Sequence, residues 1–257
     1  MKDQPNSNFK PSYRVPEIFS PFKNLVTGES TRHGGVSPAP YNSLNLGGST
    51  KDSQEHVLEN NKRFFESLNI DFDKVAKSHQ VHGADILTVT VAGRFEGYDA
   101  LITNIPNIQL AVTIADCTPI LIFDPVKKAV AAIHAGWRGT AQEIVLKTGL
   151  AMQKEYGTDP GDCLAYVGTC IDECSFEVGA DVADNFNSTF KRWDDQKNKF
   201  FVDLKSANKE QLLRFGIKPE NVEISPYSTV LNNADYFSYR FENGLTGRML
   251  ATIGLVE

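Results

Sequence analysis

Between Leu110 and Ile133 the chain carries three short apolar runs in close succession, Leu110–Ala115, Ile120–Phe123 and Ala129–Ile133. Runs of four to six residues are too short for buried helices. Their hydrophobicity is continuous rather than alternating, which marks strands covered on both faces. Asp124-Pro125 and Lys127-Lys128 supply a turn between the second and third runs. A strand covered on both faces needs a layer above it and a layer below. The chain must therefore fold as stacked sheets and helices.

The flanking segments supply the other layers. Val75–Val81, Ile86–Val91, Ala100–Thr103, Leu164–Val167 and Val222–Ile224 read as further strands. Asp52 and Glu55 form a capping box that opens a helix, and Val57, Asn61, Phe64 and Leu68 fall on one face of it. Thr140 and Glu143 form a second capping box. The helix behind it aligns Val145, Thr148, Met152 and Tyr156 and ends at Gly157. Val178–Phe190 and Leu204–Phe215 read as helices. Asn243-Gly244 reads as the turn of a closing hairpin joining Tyr236–Phe241 to the run Met249–Leu255. Strands and helices interleave, so the expectation is one mixed α+β (α/β) layered domain over residues 16–257. A flexible tail, residues 1–15, is expected before it.

Charge and composition narrow the function classes. The formal net charge is −6 and no basic tract or stripe is present, which argues against nucleic acid as a partner. No uninterrupted apolar run approaches the ~18 residues of a membrane span, so no membrane association is expected. Met1–Tyr13 is polar and lacks the apolar core of a signal peptide. The expectation is a cytoplasmic protein whose Cys117, Cys163, Cys170 and Cys174 are free, buried in the core or metal-bound.

Candidate chemistry concentrates at three strand ends. His134 closes one strand and is followed by Ala135-Gly136-Trp137-Arg138-Gly139, whose small residues let the backbone crowd against something. The helix start behind them suits an anion. Cys117 follows a second apolar run, with Asp116 beside it as a polar residue that needs a partner. His79 and His82 lie in Ser78-His79-Gln80-Val81-His82-Gly83, after a third strand, and either could be a ligand. Residues three apart on a strand point to opposite faces, so both cannot easily join one site. Two imidazoles and one thiolate would hold zinc with a fourth position left open for water. His33, in the Arg32-His33-Gly34-Gly35 loop, could reach a pocket, whereas Cys170-x-x-x-Cys174 is a weak metal pair.

Seven ordered motifs then carry a resemblance. They are Thr31-Arg32-x-Gly34-Gly35-Val36-Ser37, Tyr41-Asn42-Ser43-Leu44-Asn45-Leu46-Gly47, Gln80-Val81-His82-Gly83, Ala115-Asp116-Cys117, His134-Ala135-Gly136-Trp137-Arg138-Gly139, Phe176-Glu177-Val178-Gly179, and Phe237-Ser238-Tyr239-Arg240 with Thr246-Gly247-Arg248-Met249. Over about residues 25 to 252 the chain resembles the bacterial polyphenol oxidase, or laccase-domain, family. Members of that family have been reassigned as zinc-dependent purine nucleoside phosphorylases with adenosine deaminase activity. The resemblance implies an α/β/β/α sandwich and a metal triad of His82, Cys117 and His134, with His82 in place of His79. Zinc is the implied metal and copper the alternative; nucleoside and phosphate are the implied small-molecule partners.

Within that reading Arg32 and Arg138 are the candidates to hold phosphate, because arginine matches its oxygens with a planar fork. Asn45 is the candidate for the ribose hydroxyls. Asp116 is read either as a proton shuttle for deamination by metal-activated water or as a residue that orients a ligand. Three other readings stand beside it. One is a copper-dependent phenol oxidase. Another is an amide hydrolase using Cys117 as nucleophile and His134 as base, on misassembled cell-wall precursors. The third is a binding protein with a structural metal.

Overall fold

The computed structural model describes residues 10–257, and two six-stranded sheets packed face to face form its centre. The first sheet runs, edge to edge, Tyr13–Arg14, Leu25–Ser30, Met249–Leu255, Gln109–Ile114, Val75–His79 and Gly93–Glu96. The second runs Val222–Ile224, Leu164–Val167, Thr118–Asp124, Ala129–Ala135, Ala100–Thr103 and Ile86–Thr88. A small third sheet joins Glu177–Val178, Lys199–Val202 and Lys191–Asp194. The helices are α1 (Gln54–Ser67), α2 (Trp137–Ala141), α3 (Ile144–Tyr156), α4 (Ala180–Ala183) and α5 (Leu204–Phe215).

The three apolar runs are the strands their composition demands. In Ala129–Ala135 the side chains of Ala129, Ala131, Ile133 and Ala135 face α3 and α5, while Val130 and Ala132 face the opposing sheet. There they meet Leu110, Val112, Ala251 and Ile253 of the first sheet. The outer face of the first sheet, at Ala111 and Leu250, is covered by Phe64, Phe65 and Leu68 of the α1 segment. The layers are thus α/β/β/α, as the resemblance implied. None of the helices among the described residues is long and apolar enough to cross a membrane.

Several local expectations are corrected. Ser53, not Asp52, caps α1, its Oγ accepting from Glu55 N–H. Asp52 is drawn instead into a buried network, accepting from Ser37 Oγ and Asn45 Nδ2. Thr140 lies inside α2 and pairs with Asn208, and Glu143 occupies a left-handed turn between α2 and α3. Only Ala180–Ala183 of the expected helix Val178–Phe190 is α-helical, because the Asn185 amide turns back onto the carbonyls of Asp181 and Val182. The strands Val75–Val81 and Ile86–Val91 stop short, at His79 and Thr88.

The closing hairpin is not formed. Asn243 and Gly244 do have positive φ, as a tight turn requires, but Gly244 N–H returns to the Tyr239 carbonyl. Met249–Leu255 pairs instead with Leu25–Ser30 and Gln109–Ile114, in the middle of the first sheet. Of the expected tail, residues 1–9 lie outside the described residues. Tyr13–Arg14 is a short strand on Leu25–Ser30.

Candidate metal centre and cleft

The two sheets bring the three expected strand ends to one place. The ligand atoms of His82, Cys117 and His134 all lie within 4.8 Å of one another, the one such group among the described residues. His134 is the penultimate residue of its strand and is buried, while Cys117 is half-buried and His82 is exposed toward the cleft. The two imidazole rings meet edge to face with centroids 4.9 Å apart. Two residues here need left-handed backbone, His82 at φ 60° and Asp116 at φ 87°. Such conformations are uncommon outside glycine and are held by their surroundings.

Those surroundings are specific. Asp99, fully buried at the head of Ala100–Thr103, accepts from the N–H groups of Val81, His82 and Gly83 and from His134 Nδ1. Gln80 clamps the same loop by exchanging hydrogen bonds with the Thr113 backbone. Asp116 accepts from Thr229 Oγ1, Ser238 Oγ and Arg240 N–H, so its carboxylate anchors the loop bearing Tyr239 and Arg240. The crowding read from Gly136 and Gly139 is against the site itself. A Cβ on Gly136 would approach His82 and Cys117, and one on Gly139 would stand 2.8 Å from the Gly83 carbonyl.

The electrostatics suit a cation. Burial would raise the Cys117 thiol, but the charge of His134 and hydrogen bonds from His134 and His82 outweigh it and bring the thiol to about 6. Burial opposes charging of His134 too, yet Cys117 and Asp99 carry it up to about 9. Without a metal the pair is a thiolate beside an imidazolium. A divalent cation would displace the imidazole proton and take the thiolate and both rings as ligands, the donor set of a three-ligand zinc site. The residues present therefore fit a metal.

The triad opens into a cleft of about 1060 Å³. Its cationic lining is Lys77, Arg94, Arg138, Arg240 and Arg248, against the carboxylates of Asp73 and Asp116. The four arginines, before Lys77 is counted, still outnumber the two carboxylates and the Cys117 thiolate, a local reversal in a chain of net charge −6. A cleft of one sign concentrates ligands of the other. Burial and the neighbouring Arg94 lower the Lys77 ammonium to about 7. The Arg138 guanidinium rests on the Trp137 ring, 4.3 Å from its centroid, and has no hydrogen-bonding protein partner among the described residues. Leu46, Val57, Leu58 and Phe72 give another part of the cleft an apolar wall.

The structure separates Arg32, Asn45 and His33 from the cleft and leaves His79 at its edge, away from the triad. The buried Arg32 guanidinium donates to the carbonyls of Asn42 and Asn233 and to Glu242, and stacks on Phe237. It is an internal strut. Asn45 is fully buried, its Oδ1 accepting from the N–H groups of Gly47 and Arg248, so it fixes the backbone of two cleft residues without reaching the cavity. His33 pairs with Asp235 at 3.1 Å, outside the cleft. His79 pairs with Glu96 on the rim. All four cysteines are free, and Cys170 and Cys174 belong to no metal-capable group among the described residues.

Sequence reasoning missed Asp99, Arg94 and Lys77. Asp99 left a signal of the same kind as Asp116: a carboxylate abutting an apolar run, which burial makes costly unless it is paired.

Two sheets in an α/β/β/α sandwich, with a His-Cys-His group at the base of a cationic cleft, define an enzyme-like fold with a metal-capable centre. Residues 26–256 match the family model described as multi-copper polyphenol oxidoreductase laccase, and the chain belongs to that laccase-like family. It is 35% identical to the purine nucleoside phosphorylase YlmD of Geobacillus stearothermophilus, covering 92% of each chain. It is 34% identical to the purine nucleoside phosphorylase YfiH of Escherichia coli K12, covering 94% of this chain and 98% of that one. Among solved structures, the hypothetical protein YfiH of Bacillus licheniformis superposes with a TM-score of 0.89 at 30% identity, over 95% of this chain and 98% of that one. The structure of Geobacillus stearothermophilus YlmD superposes at 0.88 with 34% identity, over 92% and 94%.

Proposed function

We propose that this chain is a zinc-dependent purine nucleoside phosphorylase. One observation carries the reading: a single cleft joins a metal-capable His82-Cys117-His134 group, a cationic wall and an apolar wall. Phosphorolysis needs all three kinds of surface, for the reacting centre, the phosphate and the purine. The names of the relatives point the same way.

Each surface has a role. Arg138 presents a guanidinium with no protein hydrogen bond, free to bind phosphate oxygens as a fork. Arg248 shares the cleft, and its Nη1 is held on the carbonyls of Thr246 and Gly247, leaving the other edge of the fork for the same anion. Arg32 has no phosphate role in this reading, because its guanidinium is buried away from the cleft lining with three of its five donors engaged inside the fold. Leu58 and Phe72, backed by the buried Leu46 and Val57, offer the purine ring an apolar face. Asp116 holds the loop that places Tyr239 and Arg240 at the cleft. Bound zinc would supply a Lewis acid and acidify coordinated water near neutral pH. Adenosine deamination in the same cleft would draw on that second property.

The test is product analysis. Zinc-loaded protein is incubated with adenosine, with and without phosphate, beside a Cys117→Ala control. Free adenine and ribose phosphate appearing only with phosphate establish phosphorolysis, and inosine establishes deamination. Neither product from protein with verified zinc would overturn the reading. The described residues bring together one metal-capable group of three, which gives no support to a multi-copper centre for phenol oxidation.

A further inference from the structure

The Asp99 carboxylate is saturated. A carboxylate offers about four acceptor sites on its two oxygens. Here Oδ1 accepts from His82 N–H at 3.0 Å and from His134 Nδ1 at 2.8 Å. Oδ2 accepts from Val81 N–H at 3.1 Å and from Gly83 N–H at 2.7 Å. Three of these donors are consecutive backbone groups. They converge on one carboxylate while His82 adopts its left-handed φ of 60°. Successive N–H groups in such a turn form an anion-binding concavity. The fourth donor comes from a different strand, and the Asp99 carbonyl also takes the His134 N–H at 2.7 Å.

We propose that Asp99 is a positioning residue that assembles the metal site by holding two of its three ligands at once. The inference rests on the metal reading above. Accepting from His134 Nδ1 keeps the proton on that nitrogen, so Nε2 presents its lone pair toward Cys117 and His82. Accepting from the three loop N–H groups holds the backbone turn that aims the His82 ring at the same point. A carboxylate with all four sites taken has none left for substrate, which separates this role from acid–base catalysis. Such outer partners fix the tautomer and orientation of a ligating histidine.

Asparagine is the discriminating substitution, because it preserves shape and halves the acceptors. In one orientation its NH₂ faces His82 N–H and His134 Nδ1. That sets donor against donor at His82 and drives the His134 proton onto Nε2, the ligand atom. In the other orientation the NH₂ faces the N–H groups of Val81 and Gly83 and opens the His82 turn. Either way the hold on one ligand is weakened.

The experiment titrates wild-type and Asp99→Asn full-length protein with zinc and with cobalt, reading cobalt–thiolate absorbance and monitoring the fold by circular dichroism. The expected result is a wild-type chain that binds one equivalent and a folded variant that binds about 10–100-fold more weakly, with an altered cobalt spectrum. Binding by the folded variant within twofold of wild type would overturn the inference alone. Failure of the wild type to take up either ion overturns the metal reading and this inference with it. Should the variant not fold, ¹⁵N imidazole shifts of the zinc-loaded wild type decide. A proton on His134 Nδ1 supports the inference, and a proton on Nε2 overturns it.

Discussion

Gly136 lies so close to Cys117 that a methyl group on its Cα would stand 3.1 Å from the thiol sulfur, and 3.0 Å from Cδ2 of His82. Its backbone, at φ −70° and ψ 170°, is open to any residue. The need for glycine is therefore steric and comes from the ligands. Gly136→Ala is expected to fold but to push Cys117 and His82 apart by a few tenths of an ångström. Overpacking of this kind costs about 1–3 kcal/mol. If it falls on the bound state, zinc affinity drops about five- to 150-fold. A competition titration with a chromophoric chelator measures it, and unchanged affinity would show that the ligands yield without cost.

Cys117→Ala removes the one thiolate of the group. Metal uptake and phosphate-dependent adenine release are expected to fall to background together. Elemental analysis beside product analysis checks this. Activity that survives in metal-free protein would detach the chemistry from the metal. Loss of activity with zinc still fully bound would instead favour Cys117 as a nucleophile.

The metal-free protein has its own pH signature. The folded pKa of His134, about 9, is raised from 6.5, so the stability it contributes is full below 6.5 and drains as pH rises through about 9. The folded pKa of Cys117, about 6, is lowered from 9.0, so its contribution is full above 9.0 and drains as pH falls through about 6. The two gradients oppose each other between 6.5 and 9.0, and the pair adds no net slope to unfolding free energy there. Its thiolate should nevertheless be visible from pH of about 6 upward. The 240 nm difference spectrum between wild type and Cys117→Ala reads it directly. A thiolate band that emerges only near 9.0, the ordinary value, would contradict the ion pair.

Arg32 and Arg138 should respond oppositely to substitution. Arg32→Met strips hydrogen bonds from two carbonyls and leaves Glu242 without its cation. A loss of about 2–4 kcal/mol is expected, with KM for phosphate within about twofold of wild type. Arg138→Met removes an exposed guanidinium that has no protein hydrogen bond. Stability should change by less than about 0.5 kcal/mol while KM for phosphate rises about tenfold or more. Urea unfolding and phosphate kinetics on both variants separate the roles, and the reverse pattern would return phosphate to Arg32.

Much of the fold is written locally. The runs around Leu110, Ile120 and Ala129 could only be strands covered on both faces, and that alone demands stacked layers. Leu204–Phe215 is the helix its sequence predicts, to the residue, and its last turn closes on a left-handed glycine, Gly216. The metal-capable triad was legible too: Cys117 and His134 from their places at the ends of apolar strands, and His82, rather than His79, from the family motif alone. What failed were the readings in which a local signal competes with a distant partner. Asp52 is a good helix cap by type but is claimed by Ser37 and Asn45. Asn243-Gly244 makes its turn, yet Met249–Leu255 is taken by two central strands that bury it completely.

Sequence by itself determined the layered class, the three residues of the metal-capable group and the acidic charge of the whole chain, since these follow from residue type, run length and family motif. Tertiary structure alone decided which arginines face the cleft and which brace the interior. A guanidinium is equally suited to phosphate and to carbonyl oxygens, and only the folded chain shows which of them Arg32 meets. The same holds for Asp99. A buried carboxylate must find donors, but that its four are three loop amides and the ring of His134 depends on two sheets closing over one another.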